Sequence, residues 1–211
     1  AGNDTLYGGA GNDTYVVAQA GDVASELFGS GTDLVKAGVA WTLGSGLENL
    51  TLTGALAIDG SGNALANVIV GNAAANTLNG LDGNDRLNGT LGNDTLAGGA
   101  GADSFVFGAA LSATANVDTV ADFTSGTDKL WLDDDVFTAL LGQGTLEAAQ
   151  FAAGAGLTAA VDALQRIVYD TASGALYYDA DGVGGAASVQ FALLGADTHP
   201  GIAVGDFLVV A

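Results

Sequence analysis

The chain has 211 residues, room for one long domain or two short ones, yet its 49% apolar content leans on alanine and 34 residues are glycine, about twice the usual ~7% share. A net charge of −20, with only Lys36, Arg86, Lys129 and Arg166 against 24 acids, disfavours nucleic acid or an anionic membrane surface as partner and makes a cation the natural complement. The absence of cysteine excludes disulfides, thiol chemistry and Cys-based zinc sites.

All but three of the acids (Glu26, Glu48 and Glu147) are aspartate, the short carboxylate that loops and metals use. No apolar run approaches the ~20 residues of a membrane span, so no membrane insertion is expected. The opening AGNDTLYGG has neither the basic nor the apolar region of a signal peptide. With no methionine, the chain reads as part of a longer protein, in which an upstream catalytic domain has a place.

A nine-residue beat organises the first half. Residues 1–16 hold the tail of one unit, with Asp4 and Leu6, and a full unit GGAGNDTYV from Gly8 to Val16. Residues 17–61 keep the beat irregularly: Asp22 falls nine after Asp13, Asp33 follows, and VAWTLGSGLENLTLTG alternates about Leu47, Leu50 and Leu52. This stretch is expected to continue the same coil with longer or metal-free turns. Residues 62–107 give five units in succession: GNALANVIV, GNAAANTLN, GLDGNDRLN, GTLGNDTLA and GGAGADSFV. Position six runs Asn67, Asn76, Asp85, Asp94, Asp103; position eight runs Ile69, Leu78, Leu87, Leu96, Phe105.

A glycine-rich turn followed by one large apolar residue between small or polar neighbours suits a coil of short strands and tight turns. Two units would complete one revolution, with position-eight side chains of alternate units pointing inward from two facing parallel sheets. The aspartates then line the two edges. One large apolar side chain per nine residues is too little burial to offset the entropy of ordering them, and stacked carboxylates repel. A hard divalent cation with oxygen ligands relieves both shortages.

These units resemble the nonapeptide GGxGxDxUx of RTX calcium-binding proteins, most specifically over Gly8–Val16 and Gly80–Val106. The resemblance implies a mainly β fold, a parallel β-roll (β-solenoid) that binds several Ca²⁺ ions between turns two units apart. By position, Asp85 and Asp103 would share one ion, with the carbonyls of Gly80, Asp82, Gly83, Gly98, Ala100 and Gly101 around it and Gly99 beside them. Asn76 and Asp94 would share another with Gly71, Ala73, Gly89, Leu91 and Gly92. Asp4, Gly8, Gly9, Ala10, Gly11 and Asp13 would serve the first block. Neutral Asn67 and Asn76 weaken the early sites. The Thr/Asn ladder from Thr51 to Asn76 is read as turn capping rather than an ice- or glycan-binding face.

Beyond Phe107 the beat stops, and residues 108–211 are expected to form a mixed α/β cap. VDTVADF and KLWL read as strands. Asp133–Asp135 before VFTALLG, with Gly142 beyond it, signals a helix, and Leu157, Val161, Leu164 and Val168 mark one face of a second. RIVYDTASGALYYDADG reads as a hairpin turning at Gly174. Asp179 and Asp181 before Gly182 offer a further calcium site in the manner of an EF-hand opening, although Val183 and the missing Glu break that pattern.

VDTVADFTSGTDKLWLDD after the last unit resembles the junction seen in RTX exoproteins. GDFLVVA resembles the uncleaved C-terminal signal of type I secretion, the competing reading being a final buried strand. That resemblance implies a secreted or cell-surface protein of a Gram-negative bacterium, with an ABC-transporter system as transient partner. The alternative role is a structural subunit or anchor of a calcium-dependent surface layer, adhesin or filament, with self-association. No H-E-x-x-H or G-x-S-x-G occurs and His199 stands alone, so the chain itself is not read as an enzyme.

Overall fold

The computed structural model describes residues 2–26, 30–195 and 199–211. Strands up to the regular repeats are β1 (Thr5–Tyr7), β2 (Thr14–Val17), β3 (Val23–Ser25), β4 (Leu34–Ala37), β5 (Trp41–Thr42), β6 (Asn49–Leu52) and β7 (Gly60–Ser61). The repeats give β8 (Val68–Val70), β9 (Thr77–Asp82), β10 (Arg86–Asn88), β11 (Thr95–Ala100) and β12 (Ser104–Phe107). Then follow β13 (Asp118–Val120), β14 (Lys129–Asp133), β15 (Gly144–Thr145), β16 (Phe151–Gly154), β17 (Ile167–Asp170), β18 (Ala175–Tyr178), β19 (Val189–Leu194) and β20 (Phe207–Val210).

From β4 to β14 successive strands alternate between two nine-stranded sheets, ordered β15-β20-β14-β12-β10-β8-β6-β4-β2 and β16-β17-β18-β19-β13-β11-β9-β7-β5, with β1 and β3 as a separate parallel pair. From β2 to β14 all pairings are parallel. Leu87 stands beside Ile69 and Phe105, and Leu96 beside Leu78. A step of eighteen residues thus restores each position, two nonapeptides per revolution. The irregular stretch 17–61 stays in the coil, β4 and β6 joining one sheet and β5 and β7 the other.

Position eight is the core. Ile69, Leu78, Leu87, Leu96 and Phe105 are each 0% exposed, because side chains alternate along a strand and position eight takes the inward phase. Leu87 touches like residues above, below and across, so Leu87→Ala should destabilise the calcium-loaded chain by about 2–5 kcal/mol, read from urea unfolding.

The expected mixed α/β cap is corrected to an all-β one. Among the described residues the only helical segments are two single 3₁₀ turns, Ala148–Gln150 and Val204–Asp206. After Asp133 the chain makes one turn, with Val136 and Phe137 N–H both returning to the Asp133 carbonyl, and no helix follows. The stretch expected as a second helix is irregular, with Val161 and Leu164 exposed. Gln165 Oε1 accepts the Val161 and Asp162 N–H groups, and Asp162 Oδ1 accepts that of Leu164. These local bonds displace the helical ones.

The strands VDTVADF and KLWL form as expected, in opposite sheets, and the hairpin β17–β18 turns at Gly174. Aromatic rings close this end: Phe107 and Phe137 pack edge-on against Phe191 at 5.2 and 5.1 Å. β20 lies parallel to β14, with Phe207 and Val209 buried. Asp206 accepts hydrogen bonds from Ser125 Oγ, Gly126 N and Ala203 N, which ties this strand to the turn before β14. His199 lies in a loop against the Leu194 carbonyl.

Candidate metal sites along the coil edges

Each turn ends on its position-six residue, and those side chains stack along the two edges. One oxygen of each carboxylate accepts the backbone N–H of the position-six residue one revolution earlier. Asp85 Oδ1 takes the Asn67 N–H at 2.7 Å, Asp103 Oδ1 that of Asp85 at 2.8 Å, and Asp128 Oδ1 that of Asp103 at 3.0 Å. On the opposite edge Asp94 Oδ1 accepts from Asn76 and Asp118 Oδ1 from Asp94. In the first block Asp33 Oδ1 accepts from Asp13, Glu48 Oε2 from Asp33, and Asp22 Oδ1 from Asp4. Glu48, Asp118 and Asp128 were not singled out from the sequence. Their spacing departs from nine, and only the pairing of strands aligns them.

The second oxygen is the chemically telling one. Oδ2 of Asp13, Asp85, Asp94 and Asp103 is buried without a hydrogen-bond partner among the described residues, although a desolvated carboxylate oxygen ordinarily demands one. Each sits over the position-one glycine of its own turn. A Cβ on Gly80 would meet Asp85 Oδ2 at 2.3 Å and the Gly98 carbonyl at 2.5 Å, one on Gly98 would meet Asp103 Oδ2 at 2.3 Å, and one on Gly89 would meet Asp94 Oδ2 at 2.2 Å. The glycine therefore leaves room for a carboxylate oxygen and a carbonyl of the turn two units on, both facing the same small space. Hard-oxygen donors so arranged fit calcium.

Burial holds these acids in reserve. It pushes the Asp85 and Asp94 carboxyls up to about 6, against a backbone hydrogen bond that lowers them, and that of Asp118 up to about 7. Asp103 is raised as well, by burial and the nearby Asp128 and Asp122.

The asparagine turns are built differently. Asn76 Nδ2 donates to the Ile58 carbonyl and to Asn72 Oδ1, while its Oδ1 accepts the Asn72 N–H. Asn67 Nδ2 donates to the Leu47 and Glu48 carbonyls and Asn63 N–H reaches its Oδ1. Both amides are satisfied by protein, and these asparagines cap turns.

The remaining expected residues are dispersed differently among these turns. Gly71 and Gly89 are buried in position one, while Ala73, Leu91 and Asp82 are exposed and Gly92 half-buried. The Ala100 carbonyl accepts the Gly83 N–H at 2.8 Å, and Gly99 and Gly101 stack on Leu81 and Gly83 so closely that a Cβ would collide with the backbone beneath. Leu81 and Thr90, at position two, take left-handed φ of 79° and 73°, an uncommon state for residues with a Cβ. In the first block Gly8 faces Asp13 Oδ2, Gly11 N–H bonds Ser30 O, Ala10 bridges Ser30, and Gly9 and Asp4 are exposed. In the cap, Asp181 Oδ2 accepts the Ala186 N–H within its own loop, and Asp179 is buried with Oδ1 unpartnered. The two are not brought together with the coil sites.

A two-sheeted parallel coil with glycine turns and stacked edge carboxylates defines a β-roll. Residues 1–23, 61–96 and 79–109 match the RTX calcium-binding nonapeptide repeat, in four copies. These residues carry RTX calcium-binding nonapeptide repeats and, with the parallel coil, fit an RTX β-roll; the repeat family binds calcium, is generally structural rather than catalytic and is typically secreted. No curated protein matches the chain. No helix among the described residues is long and apolar enough to cross a membrane.

Proposed function

We propose that this chain is a calcium-dependent folding module of an exported protein, in which carboxylates along the coil edges hold Ca²⁺ between successive revolutions. The observation that carries this reading is the set of buried, unpartnered Oδ2 atoms of Asp13, Asp85, Asp94 and Asp103, each beside a position-one glycine. Asp85 and Asp103, with the carbonyls of Gly80, Asp82, Gly83, Gly98, Ala100 and Gly101, are assigned to one site. Asp94 has Gly89, Leu91 and Gly92 beside it, and Asp13 has Gly8 to Gly11. Asp179 is retained as a candidate ligand in the cap. Bound calcium supplies the positive charge and the oxygen coordination that the acidic turns lack.

The residues do the rest. Oδ1 of Asp85, Asp94 and Asp103 fixes the turn before it, and Oδ2 stays free of backbone donors. The glycine keeps the space open, and the position-eight side chain packs once adjoining turns are joined. In a calcium-poor cytosol the acidic, cysteine-free chain would stay open and able to thread a type I transporter. Outside a Gram-negative cell, calcium at ~10⁻⁴–10⁻³ M, the range of extracellular modules, would close it. GDFLVVA is assigned the role of export signal, readable while the chain is open.

Far-UV circular dichroism at neutral pH during a calcium titration, with magnesium as control, tests the folding step. The expected result is a spectrum poor in β structure in chelator, converting to β within that calcium range and not with magnesium. A spectrum already fully β in chelator, and unmoved by calcium, overturns it.

A further inference from the structure

We propose that Glu26, which lies off the repeat, adds a third carboxylate to the Asp13–Asp33 pair of the first block, forming a metal site that takes the first calcium ion to bind. The proposal rests on the calcium reading above and adds a ligand that lies off the repeat. One carboxylate oxygen from each of the three lies within 4.8 Å of the others. Asp33 is 1% exposed. Both Glu26 oxygens and Asp13 Oδ2 are buried with no hydrogen-bond partner among the described residues. Asp13 Oδ2, Glu26 Oε1 and the Tyr15 hydroxyl all lie within 2.6 Å of the point that a Cβ on Gly8 would occupy, so glycine alone leaves room for them to converge.

Glu26 follows Asp13 by thirteen residues and Asp22, the residue on the beat, by four. It therefore enters from the segment after β3, outside any nonapeptide. The charges acting on it are Asp33, Asp13 and Glu48, all negative. Burying one carboxylate with neither a donor nor a cation is costly, and gathering three is more so. All-oxygen donors select a hard cation, and affinity in such sites rises with the number of charged ligands. Three carboxylates against the two of a paired nonapeptide site make this the tighter site. A cleft of about 270 Å³ borders Glu26, with Gly44 and Ser45 in its wall.

Tyr15 provides a local reporter. Its hydroxyl accepts the Gly8 N–H at 2.9 Å and donates to the Ser25 carbonyl at 3.4 Å, beside the three carboxylates. The test uses the full chain, terbium as luminescent probe excited through tyrosine, and calcium stoichiometry by native mass spectrometry. Glu26→Gln should bind one calcium fewer and weaken the tightest phase by at least about tenfold, as loss of a charged ligand predicts. Tyr15→Phe should dim the earliest terbium emission while leaving the calcium count unchanged. Chelator-state dichroism of Glu26→Gln, expected equal to or more β-rich than the parent's, separates ion loss from unfolding. Asp33→Asn supplies a second charge-removing variant. Unchanged stoichiometry and an unchanged tightest phase in both Glu26→Gln and Asp33→Asn overturn this site. If the parent binds no calcium, the folding reading fails with it.

Discussion

In chelator, lowering the pH from 8 to 5 will increase the β structure of this chain, and calcium will remove that dependence. The sign follows from the buried edge. Asp85 and Asp94 are pushed from 3.8 to about 6 and Asp118 to about 7, so the folded chain holds protons that the unfolded chain has already released. A raised folded-state value means stability that is complete below about pH 4 and is lost as pH rises through 6 to 7. Protons thus stand in for the cation by neutralising the same oxygens. Calcium requires the ionised form, so its apparent affinity should fall as pH drops below about 6. Thermal melts followed by circular dichroism from pH 5 to 8, with and without calcium, check both limbs. Metal-free stability that climbs with pH across that range would show that these carboxylates do not sit in a desolvated edge.

Asp94→Asn and Asp94→Ala should part company although both delete the same charge. Each is expected to lose one ion in calorimetric titration. The alanine variant also loses the acceptor for the Asn76 N–H, bonded at 2.7 Å, a charge-assisted bond of about 1.5–3 kcal/mol. The calcium it needs for folding should rise at least about tenfold, since 1.4 kcal/mol is already one decade. The asparagine variant retains an oxygen for that N–H and gains two donors. Asn76 shows how such donors are spent, on the Ile58 carbonyl and Asn72 Oδ1. Asp94→Asn should therefore keep more β structure than Asp94→Ala in chelator. Equal chelator-state spectra for the two would mean that the turn-to-turn bond contributes nothing.

The coil was legible because its pattern is forced: side chains alternate along each short strand and position eight takes the inward phase, which Ile69 to Phe105 obey without exception. The edge carboxylates were legible for the same reason, since position six directly precedes the strand that places it. Glu26 was not, because its place depends on how the chain crosses after β3, which no spacing encodes. Glu48 was hidden by a shortened revolution and Asp118 and Asp128 by lengthened ones, changes that leave strand pairing intact. The cap misled the reading where helix signals were real but local. Asp133 does cap a turn, with Oδ1 accepting the Asp135 N–H, yet Leu132 and Phe137 are both buried and the chain goes on to a short strand beside β20. The i, i+4, i+7, i+11 spacing from Leu157 to Val168 matched a helical face, but Val168 belongs to a strand and Val161 faces water.

The links made by position-six carboxylates point one way: the position-six amide of each revolution is received by a carboxylate of the next, from Asp13 to Asp33 at one end to Asp103 to Asp128 at the other. Asp128 alone in its series needs no later revolution, since its own turn supplies Thr124 N–H to Oδ2 and Asp206 braces that turn. This series of links therefore has a grain, like a zip fastener with a single closed end. Assembly that starts at the aromatic plug can run toward residue 2 with a carboxylate ready for each position-six amide, while the amide that follows it, as Ser104 N–H to the Asp85 carbonyl, is received in the opposite direction.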